Sequence, residues 1–221
     1  MKVIFEDEYL ICALKQSGIE HHGPGVVMAQ MKEIKESIYG VHRLDRETSG
    51  LMLFAKNKEI AKSLSELFEK HLILKMYIGV SDKKPSKKQG NIKGDLVKSR
   101  GGSYRLTRTL LNPSQTKFIS FKIGESNFWG FSLFPKTGKT HQLRVVLKSI
   151  GSVILGDLRY GSDAKTDRLH LHATGLSFKL NEVNYEFFEY PEDGDQFLAY
   201  KNLIKDAVKK NFIETIRVIN K

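Results

Sequence analysis

Apolar residues in this chain come mostly in short runs interrupted by turn residues, and in several of them they alternate with polar ones. That alternation belongs to half-buried strands rather than helices. "VIFEDEYLICALKQSG" reads as two strands split by an acidic turn and closed by Gly18. Residues 41–45 and 50–55 read as strands flanking a turn. "LILKMYIGVS", "QTKFISFKIG", "NFWGFSLFPKTG", "RLHLHATGLSF" and "YEFFEYP" continue the pattern. Helical spacing is rarer. A weak helix is expected over 27–38, after a loop at 21–25. Ile60, Leu64, Leu67, Phe68 and His71 give "KEIAKSLSELFEKH" an amphipathic stripe. In "THQLRVVLKSIG" the stripe is Leu143, Val146, Leu147 and Ile150, with Gly151 placed as a left-handed cap. A helical segment over 197–221 closes the chain. Strands outnumber helices and mostly neighbour one another. The expected fold class is therefore α+β, with a mainly antiparallel sheet and flanking helices.

The length of 221 residues suits a single domain over 1–221, with room for two lobes. A chain of this size buries roughly 70% of its unfolded surface and needs no disulfide or metal to fold. Its single cysteine, Cys12, lies in the apolar run "YLICAL" and reads as core packing. No apolar stretch approaches the ~20 residues of a membrane span. A soluble, cytoplasmic, monomeric protein is the expectation.

Charge says more. Lys and Arg number 36 against 25 Asp and Glu, a net +11. Such an excess favours a polyanionic partner, most simply nucleic acid. It is concentrated in the irregular-looking arm 83–108, where nine Lys or Arg face one acid, Asp95. The arm reads either as a solvated loop and hairpin or as a basic arm lying on phosphates.

Several chemistries are excluded by what is missing. There is no paired-Cys or spaced-His pattern for a structural metal. "HLHA" puts His170 and His172 on one strand face without a third ligand, so both read as structural histidines. No glycine-rich nucleotide loop is present, nor the zinc signature of base deaminases. Carboxylate chemistry remains. In "HRLDRETSGLMLFAK" one acid, Asp45, sits between Arg43 and Arg46 at a bend with an apolar strand behind it. By itself that is an ordinary turn. A second motif, "PKTGKTHQLR", delivers Arg144 in the first turn of a helix, where free N–H groups and the dipole favour negative charge. An arginine there opposes desolvation of a carboxylate and keeps it ionised. His141, Arg144 and Lys148 share one face of that helix.

These two motifs resemble those of RluA-type pseudouridine synthases, and "KMYIGV" at 75–80 is similar to the tyrosine motif that family places between them. The opening "VIFEDEYLICALKQSGIEHHG" resembles the family's first strand pair, so the likeness covers most of residues 1–178. The resemblance implies a mixed, mainly antiparallel sheet with an active-site cleft across it. It implies isomerisation of uridine to pseudouridine in structured rRNA or tRNA, with no cofactor and no metal. Asp45 is then the essential carboxylate, Tyr77 the ring packed against uracil, and Arg144 the partner of the aspartate. Arg43 corresponds to the arginine that fills the base stack when the nucleotide flips out, and Arg46, Lys139, His141 and Lys148 are RNA-binding candidates. The chain departs from the family at Val146, Ser152, Val153, Lys139 and Gln16, none of which is Asp45, Tyr77 or Arg144. Two rival functions compete with this one. A catalytically inactive RNA-binding or RNA-folding protein of this fold would be expected to lose the carboxylate or its arginine, and both are present. A glycosidase pairing Asp45 with Glu47 would need acids from separate segments.

Overall fold

The computed structural model describes residues 1–20 and 27–219. The loop expected at 21–25 lies outside the described residues. The chain forms two compact units, Met1–Leu74 with Ala173–Glu189, and Lys75–His172 with Tyr190–Lys221. It passes between them three times, at 74/75 at the start of the strand Leu74–Ser81, at 172/173 inside the strand Leu171–Leu180, and at 189/190. The fold class is the expected one, α+β with a mixed, mainly antiparallel sheet and flanking helices.

In the first unit, β1 (Lys2–Glu6) pairs antiparallel with β2 (Leu10–Lys15). A short helix follows, α1 (Val27–Ile34), four residues shorter than the expected one. β2 also pairs with β4 (Ser49–Ala55), and β3 is only Tyr39–Gly40. The strand expected over 41–45 does not form, for a local reason. Leu53 donates its backbone N–H to His42 Nε2 at 2.9 Å, so a side chain takes the place of a strand carbonyl. β4 is buried along its whole length. At Gly50 a Cβ would lie 2.3 Å from the carbonyl oxygen of Ala173 in β11 (Leu171–Leu180), which only glycine permits. β12 (Val183–Phe188) pairs with β11.

α2 (Lys58–Glu69) starts where Asn57 accepts the N–H of Ile60 at 2.8 Å. It buries Ile60 and Leu64 against Leu51, Leu53 and Leu176, with Leu67 and Phe68 half-buried beside them. His71, expected on this stripe, lies past the helix in the left-handed region at φ 57°. Cys12 is fully buried in the same core, and desolvation pushes its thiol up to about 12, which leaves it an inert packing group.

The second unit runs β5 (Leu74–Ser81), β10 (Trp129–Pro135), β9 (Ser114–Lys122) and β6 (Gln89–Gly94) as antiparallel neighbours, with β5 entering at Lys75. The arm 83–108 is more ordered than its composition suggests. It supplies β6 and then a hairpin, β7 (Leu96–Lys98) and β8 (Tyr104–Leu106), whose tip is a single 3₁₀ turn at Arg100–Gly102. α3 (Gln142–Ser149) buries the expected Leu143 and Leu147 against Phe118, Phe131 and Leu133, and the expected Val146 is fully buried as well. Gly151 caps it at φ 79°. After α4 (Asp195–Ala199), α5 (Lys201–Ile219) buries Ile204, Val208, Phe212 and Ile216 at helical spacing. Asn211 Nδ2 donates to Ser132 Oγ of β10 at 2.9 Å, so the terminal helix is docked.

His170 and His172 are both buried. His170 Nε2 accepts the N–H of Gln196 at 3.2 Å, so its Nδ1–H is the donor to the carbonyl of Arg168 at 3.0 Å. Burial is the largest influence and lowers its pKa, against the opposing pull of Asp167 and Asp195. The unfolded imidazole then binds protons that the folded one refuses. Stability is full above the ordinary value of 6.5 and falls as pH drops through it. Urea midpoints should therefore fall from about pH 7 to about pH 5.5. The fall should be shallower in His170→Gln, and an unchanged slope would remove His170 as its source.

Candidate active site

Asp45 sits half-buried at the start of a tight turn in which Thr48 donates its N–H to the Asp45 carbonyl at 3.1 Å. What holds the turn is a buried lysine. Lys15 ends the apolar strand β2 with 0% exposure. Its ammonium donates to the carbonyls of Gln16 at 2.9 Å, Ile19 at 2.8 Å and Arg46 at 2.9 Å. A buried ammonium is tolerable only when oxygens replace its water. Gly18, at φ 83°, donates its N–H to the same Arg46 carbonyl at 2.9 Å. Ser17 Oγ donates to the Glu47 carbonyl at 2.8 Å. The two residues after Asp45 are thus bonded to the segment "KQSG". Sequence reasoning marked Gln16 and Gly18 in that segment and missed Lys15. The available signal was a lysine ending an apolar strand run just before turn residues.

The two arginines flanking Asp45 differ. Arg46 Nε donates to Glu47 Oε1 at 2.7 Å, and its Nη1 lies 3.6 Å from Glu20. Arg43 is exposed and has no ion pair among the described residues.

Tyr77 and Arg144 belong to the second unit. Tyr77 is half-buried on β5, packed against the core that contains Leu133 and Leu147. Two residues before it, on the same strand face, Lys75 is buried and donates to the Lys136 carbonyl at 3.2 Å. Burial pushes its pKa down to about 8. The loop from Lys136 to α3 is held by Gln142, whose Oε1 accepts from Thr137 Oγ1 at 2.8 Å and Lys139 N at 3.0 Å. Gln142 Nε2 donates to the Gln115 carbonyl at 3.1 Å and to Thr116 Oγ1 at 2.9 Å. Lys139 Nζ donates to the carbonyl of Asn112, so part of its reach is spent within the fold.

Arg144, with 6% exposure, forms a bidentate pair with Asp157: Nε to Oδ2 at 2.8 Å and Nη2 to Oδ1 at 2.6 Å. The guanidinium carbon lies 5.0 Å from the centroid of the Tyr160 ring, and Lys148 Nζ lies 5.6 Å from it. Asp157 precedes a turn in which its carbonyl accepts the N–H groups of Tyr160, Gly161 and Ser162. Gly156, at φ 79°, leaves no room for a Cβ, which would lie 2.1 Å from the Arg168 carbonyl. His141 stands at the helix entry in the left-handed region, φ 56°, with Nδ1 3.0 Å from Tyr160 Oη. Asp157 and Tyr160 were legible only as part of "ILGDLRYGS", a loop in the sequence.

All nine lysines and arginines of 83–108 are exposed. The one acid is consumed internally. Asp95 is buried and accepts the N–H groups of Leu111 at 3.0 Å and Asn112 at 2.9 Å. Its pKa is lowered, first by a hydrogen bond from Thr109 and then by those backbone bonds. The arm therefore shows solvent an excess of positive charge, with only Lys83 near an acid, Asp82, at 3.9 Å among the described residues.

The family model for RNA pseudouridylate synthase matches residues 9–149, and the chain belongs to that family. Relatives place it with the RluA type. A protein of Haemophilus influenzae called "Uncharacterized RNA pseudouridine synthase" is 44% identical over 184 residues, 80% of this chain and 82% of that one. The dual-specificity RNA pseudouridine synthase RluA of Vibrio vulnificus is 34% identical over 194 residues, 80% of this chain and 77% of its own length. Ribosomal large subunit pseudouridine synthase C of Rickettsia bellii is 33% identical over 201 residues, 83% of this chain and 67% of its own. The solved structure titled "Human RNA Pseudouridylate Synthase Domain Containing 4" shares the fold, with a TM-score of 0.75 at 22% identity, covering 92% of this chain and 93% of that one.

Removing one member of a buried ion pair strands the other and costs about 3–5 kcal/mol. Asp157→Ala should lower the unfolding free energy by that amount in urea titration. A drop of under about 1 kcal/mol would show that the guanidinium finds water or another acceptor.

Proposed function

We propose that this RNA pseudouridine synthase isomerises one uridine in structured rRNA or tRNA, with Asp45 as the catalytic carboxylate. The reaction breaks a C–N glycosidic bond, turns the uracil and rejoins it through C5. It needs an ionised carboxylate held at a fixed position. The observation that carries the reading is the anchoring of the Asp45 turn. Three hydrogen bonds, from Lys15, Ser17 and Gly18, fall on the carbonyls of Arg46 and Glu47. An ordinary surface turn has no use for a buried ammonium.

Tyr77 offers the ring face for uracil stacking, and Arg144 is the proposed partner of Asp45, with its guanidinium oriented by the bidentate pair to Asp157. Arg43, exposed and without an ion pair among the described residues, is the side chain suited to enter a base stack. Arg46, bound to Glu47, is the weaker RNA contact of the two. The relative named for the ribosomal large subunit favours rRNA as the substrate class, and the one named dual-specificity supports an RNA substrate without naming which. Base flipping costs a few kcal/mol, so a loop uridine is favoured over a paired one. The protein acts in the cytoplasm as a monomer in this reading.

Asp45→Asn should abolish tritium release from 5-tritiated uridine in bulk RNA of a strain lacking this gene, while RNA affinity stays within about threefold. Wild-type protein that binds this RNA and releases no tritium would overturn the reading in favour of an RNA-binding role. Reversing Lys98, Arg100 and Arg105 to Glu should weaken RNA binding and flatten its dependence on salt. The slope should fall by about one unit for each phosphate no longer neutralised. An unchanged slope would assign the arm to solvent.

A further inference from the structure

Tyr160 is the point where several separate parts of the second unit meet. It has 2% exposure. Its ring lies under the Arg144 guanidinium at 5.0 Å and near the Lys148 ammonium at 5.6 Å. Its backbone N–H donates to Asp157 Oδ1 at 3.2 Å, the oxygen that also receives Arg144 Nη2. Its hydroxyl reaches the other way. Oη accepts the backbone N–H of Tyr104, in β8 of the cationic hairpin, at 2.9 Å. Oη also lies 3.0 Å from His141 Nδ1. With Tyr104 donating to it, the phenol uses its own proton when it donates to a neutral His141 carrying the lone pair on Nδ1. The His141 ring meets those of Tyr104 and Tyr160 edge-on, each at 5.7 Å between centroids. The neighbouring Arg159 Nη1 donates to the Gly101 carbonyl at the hairpin tip. A left-handed non-glycine residue such as His141 persists only where its surroundings over-determine it.

We propose that Tyr160 is a positioning residue with two separable halves, a ring that sets the Arg144 guanidinium and a hydroxyl that docks the RNA-facing hairpin 96–106. The proposal rests on the synthase reading for its kinetic consequences and on geometry for its docking half. The hairpin carries Lys98, Arg100 and Arg105, all exposed, so its position sets where phosphates are met. Its backbone bond to Oη ties those cations to the same ring that faces the Arg144 guanidinium.

The test separates the halves. Tyr160→Phe keeps the ring and removes the hydroxyl; Tyr160→Leu removes both. In tritium-release kinetics on 5-tritiated bulk RNA, Tyr160→Phe should raise KM about two- to tenfold with kcat within about twofold. Tyr160→Leu should raise KM similarly and lower kcat about tenfold. Limited trypsin cleavage at Lys98, Arg100 and Arg105 should run several-fold faster in Tyr160→Phe, with urea stability near wild type. A Tyr160→Phe protein with wild-type KM and wild-type cleavage would overturn the docking half. An equal fall in kcat in both variants would overturn the division of roles. Wild-type protein that releases no tritium would instead overturn the synthase reading, and the cleavage rates would still decide the docking.

Discussion

A cation taken out of water must be met by oxygens, and the site-bearing segments of both units are built around that requirement. Lys15 is a compact point charge, and three carbonyls converge on it. One belongs to Arg46, the residue after Asp45, so satisfying the ammonium also fixes the acid's turn. Arg144 is a planar fork, and it is met by a carboxylate that matches it bidentately and by an aromatic face beside it. Lys75 has less help: its pKa falls to about 8 because burial outweighs what its surroundings return. Each choice of cation follows from the geometry of the acceptors around it.

Charge is sorted with equal economy. Asp95 is spent on the N–H groups of Leu111 and Asn112, and Glu47 on Arg46. The cations of 83–108 are left facing water. A surface that keeps its acids occupied and its cations exposed attracts a polyanion without further specificity, since phosphate contacts position a nucleic acid rather than read it.

Much of the fold could be read directly. The apolar runs became strands: β9 alternates along part of its length as a half-exposed pleat requires, whereas β2, β4, β10 and most of β11 are buried in continuous runs because both of their faces are covered. α2 and α3 followed their apolar stripes. The failures have local causes. Residues 41–45 are not a strand because the His42 imidazole intercepts the Leu53 N–H. The arm 83–108 looked irregular because its short strands carry cations on their exposed side and few apolar residues to mark a period. His71 fitted the helical stripe by spacing, yet the chain had already turned at Lys70. Asp45, Tyr77 and Arg144 were singled out because motif order carries across a family. Lys15, Asp157 and Tyr160 were not, since each is defined by a partner distant in sequence.

The sequence by itself determined the class of protein, most of its strands and the excess of positive charge. These are properties of residue type and spacing, which survive without coordinates. Only the tertiary structure decided that Lys15 is buried beneath the Asp45 turn, 31 residues away along the chain, and that Arg144 answers to Asp157, 13 residues on. It alone showed that a backbone N–H of the basic hairpin ends on Tyr160, 56 residues later. The physical reason is common to all three. A buried charge or hydroxyl is defined by the oxygens and protons that face it, and the chain brings those together only when it folds.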